Sequence, residues 1–340
     1  MKKYLIKKTG KFYKANLHCH TTVSDGSKTP EEIKELYKSL GYSIVAYTDH
    51  DVFIPHNDLT DETFLALNGY EVEINDENRH PITTEKKRCH LCFVALDKDN
   101  KTQVCWHREK YLFGNAKDWA KKVKYDETLP DYEREYTPEC INDMIKIARN
   151  ANFFVTYNHP VWSCEDYTNY TKYKGMNAME IVNYASLYEG FAEKCEREYD
   201  DIIRTGNRIY GICADDNHNH GNDYGGGYIQ IKADKLDYES IAKSLKNGQF
   251  YASTGPEIKS IYLEGDKLTI KTSGVKTIRY NTGKVRAEVV HADKGKTINT
   301  ATFTVKDDDC YFRVTAVDKY GECAYTNAYF IDEIFKNKNK

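Results

Sequence analysis

The chain has 340 residues, 40% of them apolar and 30% charged, an ordinary balance for a water-soluble protein of one large domain or one large and one small. Its 49 basic and 52 acidic residues leave a net charge of −3, so neither a strongly basic face nor a dedicated nucleic-acid surface is expected. No run approaches about 18 apolar residues, and the basic opening MKKYLIKKTGKFYK lacks the apolar stretch of a secretion signal, so neither a membrane span nor export is predicted.

The elements follow in chain order. KANLHCH (residues 14–20) reads as a strand. TPEEIKELYKSLG reads as a helix: Thr29 caps, Pro30 opens, Glu32 completes a capping box, and Ile33, Leu36, Tyr37 and Leu40 form one apolar stripe. SIVAYTDH, ALNGYEVEI and HLCFVAL are the next strands. Cys89 and Cys92 lie in the last of these without a second Cys-x-x-Cys, so they read as core thiols; the ten scattered cysteines suit a reducing, cytoplasmic setting. Residues 105–136 are polar, carry Trp106 and Trp119, and are expected to form a helical insertion.

TPECINDMIKIARNAN repeats the capped-helix pattern, with Thr137 as cap and Ile141, Met144, Ile145 and Ala148 as stripe. FFVTYNHP, AMEIVNY and IYGICADD are strands, and DYESIAKSLKNG is a helix capped by Asp237. Strands alternating with helices predict a parallel α/β sheet or barrel. After YASTGPE, segments such as SIYLEGDKLTIKTS and TATFTVKDDD alternate apolar with polar residues, which predicts an antiparallel β region, most simply a small sandwich.

Residues suited to metal binding recur at the strand ends. His18 and His20 alternate along a strand and so share a face, where two imidazoles can grip one ion; a satisfied polar edge is the other reading of that pair alone. Asp49, His50 and Asp51 end the second strand, Glu71 ends the third, His90 opens the fourth, His159 ends the fifth, and Asp216 and His218 end the seventh. In barrels of alternating strands and helices, this C-terminal rim is where chemistry sits.

In family order, HCHTTVSDG…TDHD…GYE…CH…NHP…DDNH resembles the PHP (polymerase and histidinol phosphatase) metallohydrolases over about residues 12–255. FYASTGPEI and RVTAVDKYGECAYTNAYF resemble the end of the carbaryl-hydrolase-like branch, which carries a β domain after the barrel. The resemblance implies a distorted (β/α)7 barrel over residues 1–255 and a β-sandwich-like domain over 256–335, and the Lys/Asn-rich end FKNKNK reads as a frayed tail over 336–340. It implies a first metal held by His18, His20, Glu71 and Asp216, and a second by Glu71, His90 and His159, with Glu71 bridging. Asp25, His50 and His218 would hold a third; some members carry histidine at the Asp25 position, so whether that site fills stays open. SDG would turn the chain so that Asp25 reaches back over the rim, with Gly26 relieving the turn. The mixed nitrogen and oxygen donors suit two or three ions of Zn, Mn or Fe.

The expected activity is metal-dependent hydrolysis, foremost of a phosphoester in a small phosphorylated metabolite or nucleotide, through a hydroxide shared by two cations. An ester, carbamate or amide hydrolase is the alternative, and a non-catalytic binding module a third reading. Asp216 is expected to orient the nucleophile and take its proton, with a rim histidine, His50 or His218, or a metal-held water protonating the leaving group. Asn183, Arg88 and His56 are the candidate substrate contacts, although Arg88 reads equally as a surface arginine and His56 reads more readily as a solvated loop residue. Glu73 is a lesser candidate for the bridge, Asp51 is expected to orient His50, and His220 resembles His56 in its prospects. His80, His107 and His291 read as surface or core residues, and DYGGGY reads as a flexible turn because it lacks a phosphate-loop spacing. The oligomeric state is not indicated.

Overall fold

Burial on both faces turns the apolar runs into strands: Ile44–Tyr47, Phe153–Tyr157 and Ala178–Asn183 are buried at every position. A computed structural model describes these elements across residues 2–78 and 85–335; His80 lies outside the described residues. Between the strands, three helices begin as the caps predict. Thr29 accepts from the Glu32 amide while the Glu32 side chain takes the Thr29 amide, Thr137 accepts from Cys140, and Asp237 accepts from Ser240. Their stripes bury Ile33 and Tyr37, then Ile141, Met144, Ile145 and Ala148, then Ile241 and Leu245.

Among the described residues the main sheet has 14 strands. Its order starts at Tyr210–Ala214 and passes through Ala178–Asn183, Phe153–Tyr157, Arg88–Ala95, Leu65–Asn75, Ile44–Tyr47 and Lys11–Asn16. It continues through Tyr228–Ala233 and Phe250–Ser253 into the strands of the C-terminal region. A separate four-stranded antiparallel sheet joins Lys3–Tyr4 to Ile258–Glu264, Lys267–Val275 and Ile298–Thr304. The architecture is mixed α/β with a large sheet and a smaller antiparallel one.

Three features differ from the sequence reading. The large sheet is not wholly parallel: Arg88–Ala95 runs antiparallel to both its neighbours, and so does Tyr228–Ala233. Residues 105–136 hold only one short helix, Ala116–Trp119, one 3₁₀ turn and a strand of two residues. Their apolar side chains are spent covering a small cluster in which Trp106, Ala116 and Val123 pack on Val23 and Val52. Finally, the β region is continuous with the rest, since Cys323–Tyr325 pairs with Phe250–Ser253.

Arg313 ties the two regions together. Its guanidinium donates Nε and Nη2 to the two oxygens of Asp200, both at 2.9 Å, and Nη1 to Glu196 at 2.8 Å. Both acids sit one turn apart on the helix Glu196–Arg204.

A buried carboxyl below the strand ends gives stability a pH dependence. Glu165 receives hydroxyl hydrogen bonds from Tyr136 (2.6 Å), Tyr157 (2.5 Å) and Tyr173, with Cys89 and Lys87 as its other titratable neighbours. Burial outweighs these donors and pushes its pKa up to about 7. A carboxyl raised above its unfolded value contributes stability that is full below pH ~4.5 and is lost as pH rises through about 7. Relative to Glu165→Gln, the wild type is expected to lose about 3 kcal/mol of unfolding free energy between pH 4.5 and 8. Urea titrations of both proteins across that range measure it; parallel curves would refute it.

Candidate metal centre

The strand ends deliver their histidines because two pairings extend beyond the regular ladders. Past Asn16 the chain stays extended: Cys19 bridges Asn217, the Asp216 amide donates to the His18 carbonyl (3.0 Å), and the His20 amide to that of Asn217 (3.1 Å). Alternation then turns Cys19 into the core and both imidazoles to the opposite face. His50 likewise bridges Glu71, with the Asp51 amide on the Glu71 carbonyl at 2.7 Å.

Asp49 holds the intervening turn, accepting from the amides of Thr21 (2.7 Å) and Ser24 (3.1 Å) and the Ser24 hydroxyl (2.8 Å). A Cβ on Gly26 would stand 2.6 Å from the His20 carbonyl oxygen, so close approach requires glycine there. The turn brings Asp25 Oδ2 to 3.2 Å from His218 Nε2 and 3.8 Å from His50 Nε2. His159 and Asp216 adopt left-handed backbone angles, φ 27° and 56°, a strain of order 1 kcal/mol or more each that accurate aiming at a site explains.

Glu71 stands at the centre. Its Oε1 lies 3.2 Å from His18 Nε2, 3.2 Å from His90 Nδ1 and 3.4 Å from His159 Nε2. Its Oε2 lies 3.4 Å from His20 Nε2 and 3.3 Å from His50 Nδ1. Asp216 Oδ1 is 3.0 Å from both His18 Nε2 and His20 Nε2, which are 3.1 Å apart.

Three overlapping donor sets result among the described residues: His18, His20, Glu71 and Asp216; His50, Glu71 and His90; and His20, Asp25, His50 and His218. The first matches the set that the resemblance implies. His50 joins Glu71 and His90 in the second, with His159 on their flank, and His20 joins the third.

The donors fit divalent ions. Separations of 3.0–3.4 Å are those of donors each about 2.1 Å from a shared centre. Glu71 Oε2, His90 Nδ1 and Asp216 Oδ1 are buried without a hydrogen-bond partner, each costing about 1–3 kcal/mol unless an ion satisfies it.

The far ring nitrogens are anchored. Glu180 Oε1 holds His18 Nδ1 (2.7 Å), Glu73 Oε2 holds His90 Nε2 (3.0 Å), Ser163 Oγ holds His159 Nδ1 (3.1 Å), and the Asp216 carbonyl holds His218 Nδ1 (2.9 Å). Sequence reasoning missed Glu180, Ser163 and the anchoring role of Glu73. The available signal for Glu180 was a single acid in the buried run AMEIVN.

Charge is distributed for ligation. Burial opposes ionisation of Glu71, yet His18 and His90 outweigh it and hold its pKa well below the usual range. Burial likewise raises the Asp25 carboxyl, but the hydrogen bond from His218 and the nearby His20 outweigh it and hold its pKa below the usual range. Burial and the neighbouring His20 push His50 down to about 3, leaving a neutral imidazole donor.

Asn183 is buried beneath the cluster, donating to Asp216 Oδ2 (3.0 Å) and Glu180 Oε2 (2.9 Å). Arg88 stacks on Trp162 at 5.3 Å, and His56 packs on Tyr47; none of the three lines the cleft, whereas His220 does. Asp51 pairs with Arg134 at 2.6 Å and not with His50. The glycine run of DYGGGY is no loose turn: the amides of Gly225, Gly226 and Gly227 all donate to buried Asp215. His107 meets Glu133, and His291 is exposed beside Thr277. The cleft above the cluster holds about 290 Å³, and its walls include Phe113, Trp162 and Tyr188, none of which the sequence singled out.

Glu180→Ala is expected to weaken zinc binding by about 10- to 100-fold, because His18 loses the acceptor that fixes its tautomer. Glu180→Gln, whose amide oxygen still accepts, should recover part of the loss. Chelator-buffered zinc titrations distinguish the variants, and equal affinities in all three proteins would dismiss the anchoring role.

No protein-family model matches the chain, and no curated protein matches it. Among solved structures, it is similar to a two-domain protein from Bacteroides vulgatus containing a predicted PHP-like metal-dependent phosphoesterase, at 14% identity, covering 95% of this chain and 98% of that one, with a TM-score of 0.45. A provisionally assigned metal-dependent phosphoesterase from Bifidobacterium adolescentis gives 16% identity, 69% and 96% coverage and a TM-score of 0.40. An amidohydrolase from Chromobacterium violaceum, solved with bound sulfate and no metal, gives 14% identity, 62% and 89% coverage and a TM-score of 0.40. No described helix is long and apolar enough to cross a membrane.

Proposed function

We propose that the chain is a metal-dependent hydrolase of the PHP type, most plainly a phosphoesterase acting on a small molecule. One observation carries the reading: a single buried carboxylate, Glu71, faces five imidazoles from four separate segments, with each oxygen turned to a different set. Divalent ions bound there would supply Lewis acidity towards a phosphoryl oxygen and lower the pKa of water from about 16 towards 7. His18, His20, Glu71, His90, His159 and Asp216 would hold two ions; Asp25, His50 and His218 would hold a third.

The chain's own groups complete the chemistry. Asn183 holds Asp216 Oδ2 and so orients the carboxylate beside the ions, and that carboxylate is the group that would take the nucleophile's proton. His218 borders the cleft with Nδ1 tethered to the Asp216 carbonyl, so with two ions bound and no third its Nε2, next to Asp25, would return a proton to the leaving group. The bridge between Cys19 and Asn217, joining the first strand's extension to the segment after Tyr210–Ala214, supports a distorted barrel over residues 1–255, with the β region of 256–335 attached. The dispersed thiols support a cytoplasmic setting.

Hydrolysis of a carbon-centred ester or carbamate, as in the carbaryl-hydrolase-like branch, is the second reading. It is favoured by the cleft walls, where no Lys or Arg stands among the described residues to meet further phosphate charge. Side-by-side assays of metal-loaded protein on phosphomonoesters, cyclic nucleotides and aryl esters decide. Turnover confined to the aryl esters would remove the phosphoester reading, and turnover of none would remove both.

A further inference from the structure

We propose that the cleft selects substrates whose reacting group is joined to a planar aromatic group bearing no further negative charge, an inference that rests on the hydrolase reading above. Three rings surround the mouth. Phe113 presents its edge to His50 with ring centres 5.5 Å apart. Trp162 stands edge-on to His159 at 5.0 Å and to His90 at 5.5 Å. Its pose is held from behind, since Glu193 takes the Trp162 amide at 2.7 Å and Arg88 stacks on the ring. Tyr188 closes the third side against Gly221, where a Cβ would lie 2.6 Å from the tyrosine hydroxyl.

Phe113 and Tyr188 are 55% and 52% exposed, so apolar ring surface is left open at the one place where a ligand would cover it. A cleft of about 290 Å³ has room for a single ring and its reacting head and little more.

Charge selects further. Beyond the cluster and its anchors, the cleft's acidic groups are Glu189 and Asp223, and no Lys or Arg lines it among the described residues. Arg88 lies behind Trp162, and Arg134 is engaged by Asp51. A second phosphate or a carboxylate on the substrate would therefore meet carboxylates with no counter-charge, whereas a neutral or cationic ring would not.

The test is calorimetric titration of manganese-loaded, full-length protein with paired ligands: phenylphosphonate against methylphosphonate, and benzoate against acetate. The ring-bearing member should bind about tenfold more tightly. That preference should shrink at least about threefold in Phe113→Ala and Tyr188→Ala, whose exposed side chains carry little of the fold. 4-Carboxyphenylphosphonate should bind more weakly than phenylphosphonate. Equal affinities within both pairs, no binding in either pair, or a carboxylated ring that binds as well as the plain one would overturn the inference. A ring preference confined to the benzoate pair would uphold it and count instead against the phosphoester reading.

Discussion

Replacing Glu71 by alanine is expected to strip the protein of most of its divalent metal and to slow turnover by more than about 10³-fold, roughly 4 kcal/mol of transition-state stabilisation. The reason is geometric. Two of the three donor sets contain Glu71, so its loss opens both together. The fold should persist, because the imidazoles keep Asp216, Glu180, Glu73 and Ser163 as partners. Three measurements check this: metal content after dialysis, hydrolysis of an aryl phosphate, and the rise in melting temperature on adding metal. Free metal at 100 times its Kd should add about 2.7 kcal/mol to the wild type and far less to the variant. A Glu71→Ala protein with wild-type metal content and rate would end the bridging assignment.

Arg313→Ala should be the most destabilising change outside the cluster, by about 3–5 kcal/mol. The arginine side chain is 5% exposed, and removing it leaves Asp200 and Glu196 facing each other with most of their counter-charge gone. Arg279 reaches Glu196 only through one contact, at 3.3 Å, and cannot replace the fork on Asp200. Arg313→Lys should recover little, since one ammonium cannot span both oxygens of Asp200 and still reach Glu196. Urea denaturation gives the free energies. A loss below about 1 kcal/mol for Arg313→Ala would show that the apolar contacts between the regions, and not this clamp, hold them together.

Much of the local structure was legible because its causes are local. Thr29, Thr137 and Asp237 cap their helices through atoms three residues away. The runs SIVAYTDH, FFVTYNHP and AMEIVNY form strands whose residues are buried on both faces. The insertion at 105–136 was misread because its apolar residues follow neither a helical nor a strand period; they are spaced to cover Val23 and Val52, which lie far away in sequence. The antiparallel return of Arg88–Ala95 was equally hidden, since a run buried on both faces carries no mark of its direction.

Alternation and turn chemistry act over a few residues, so the order of amino acids alone marks which imidazoles and carboxylates stand along or just beyond the strands. Their partners come from the folded arrangement. Glu180 behind His18, Asp49 under the Ser24 turn, Asp51 paired to Arg134, and the rings of Phe113, Trp162 and Tyr188 over the cleft are all contacts between separate segments. A side chain's neighbours across a fold depend on strand order and register, which no local period encodes.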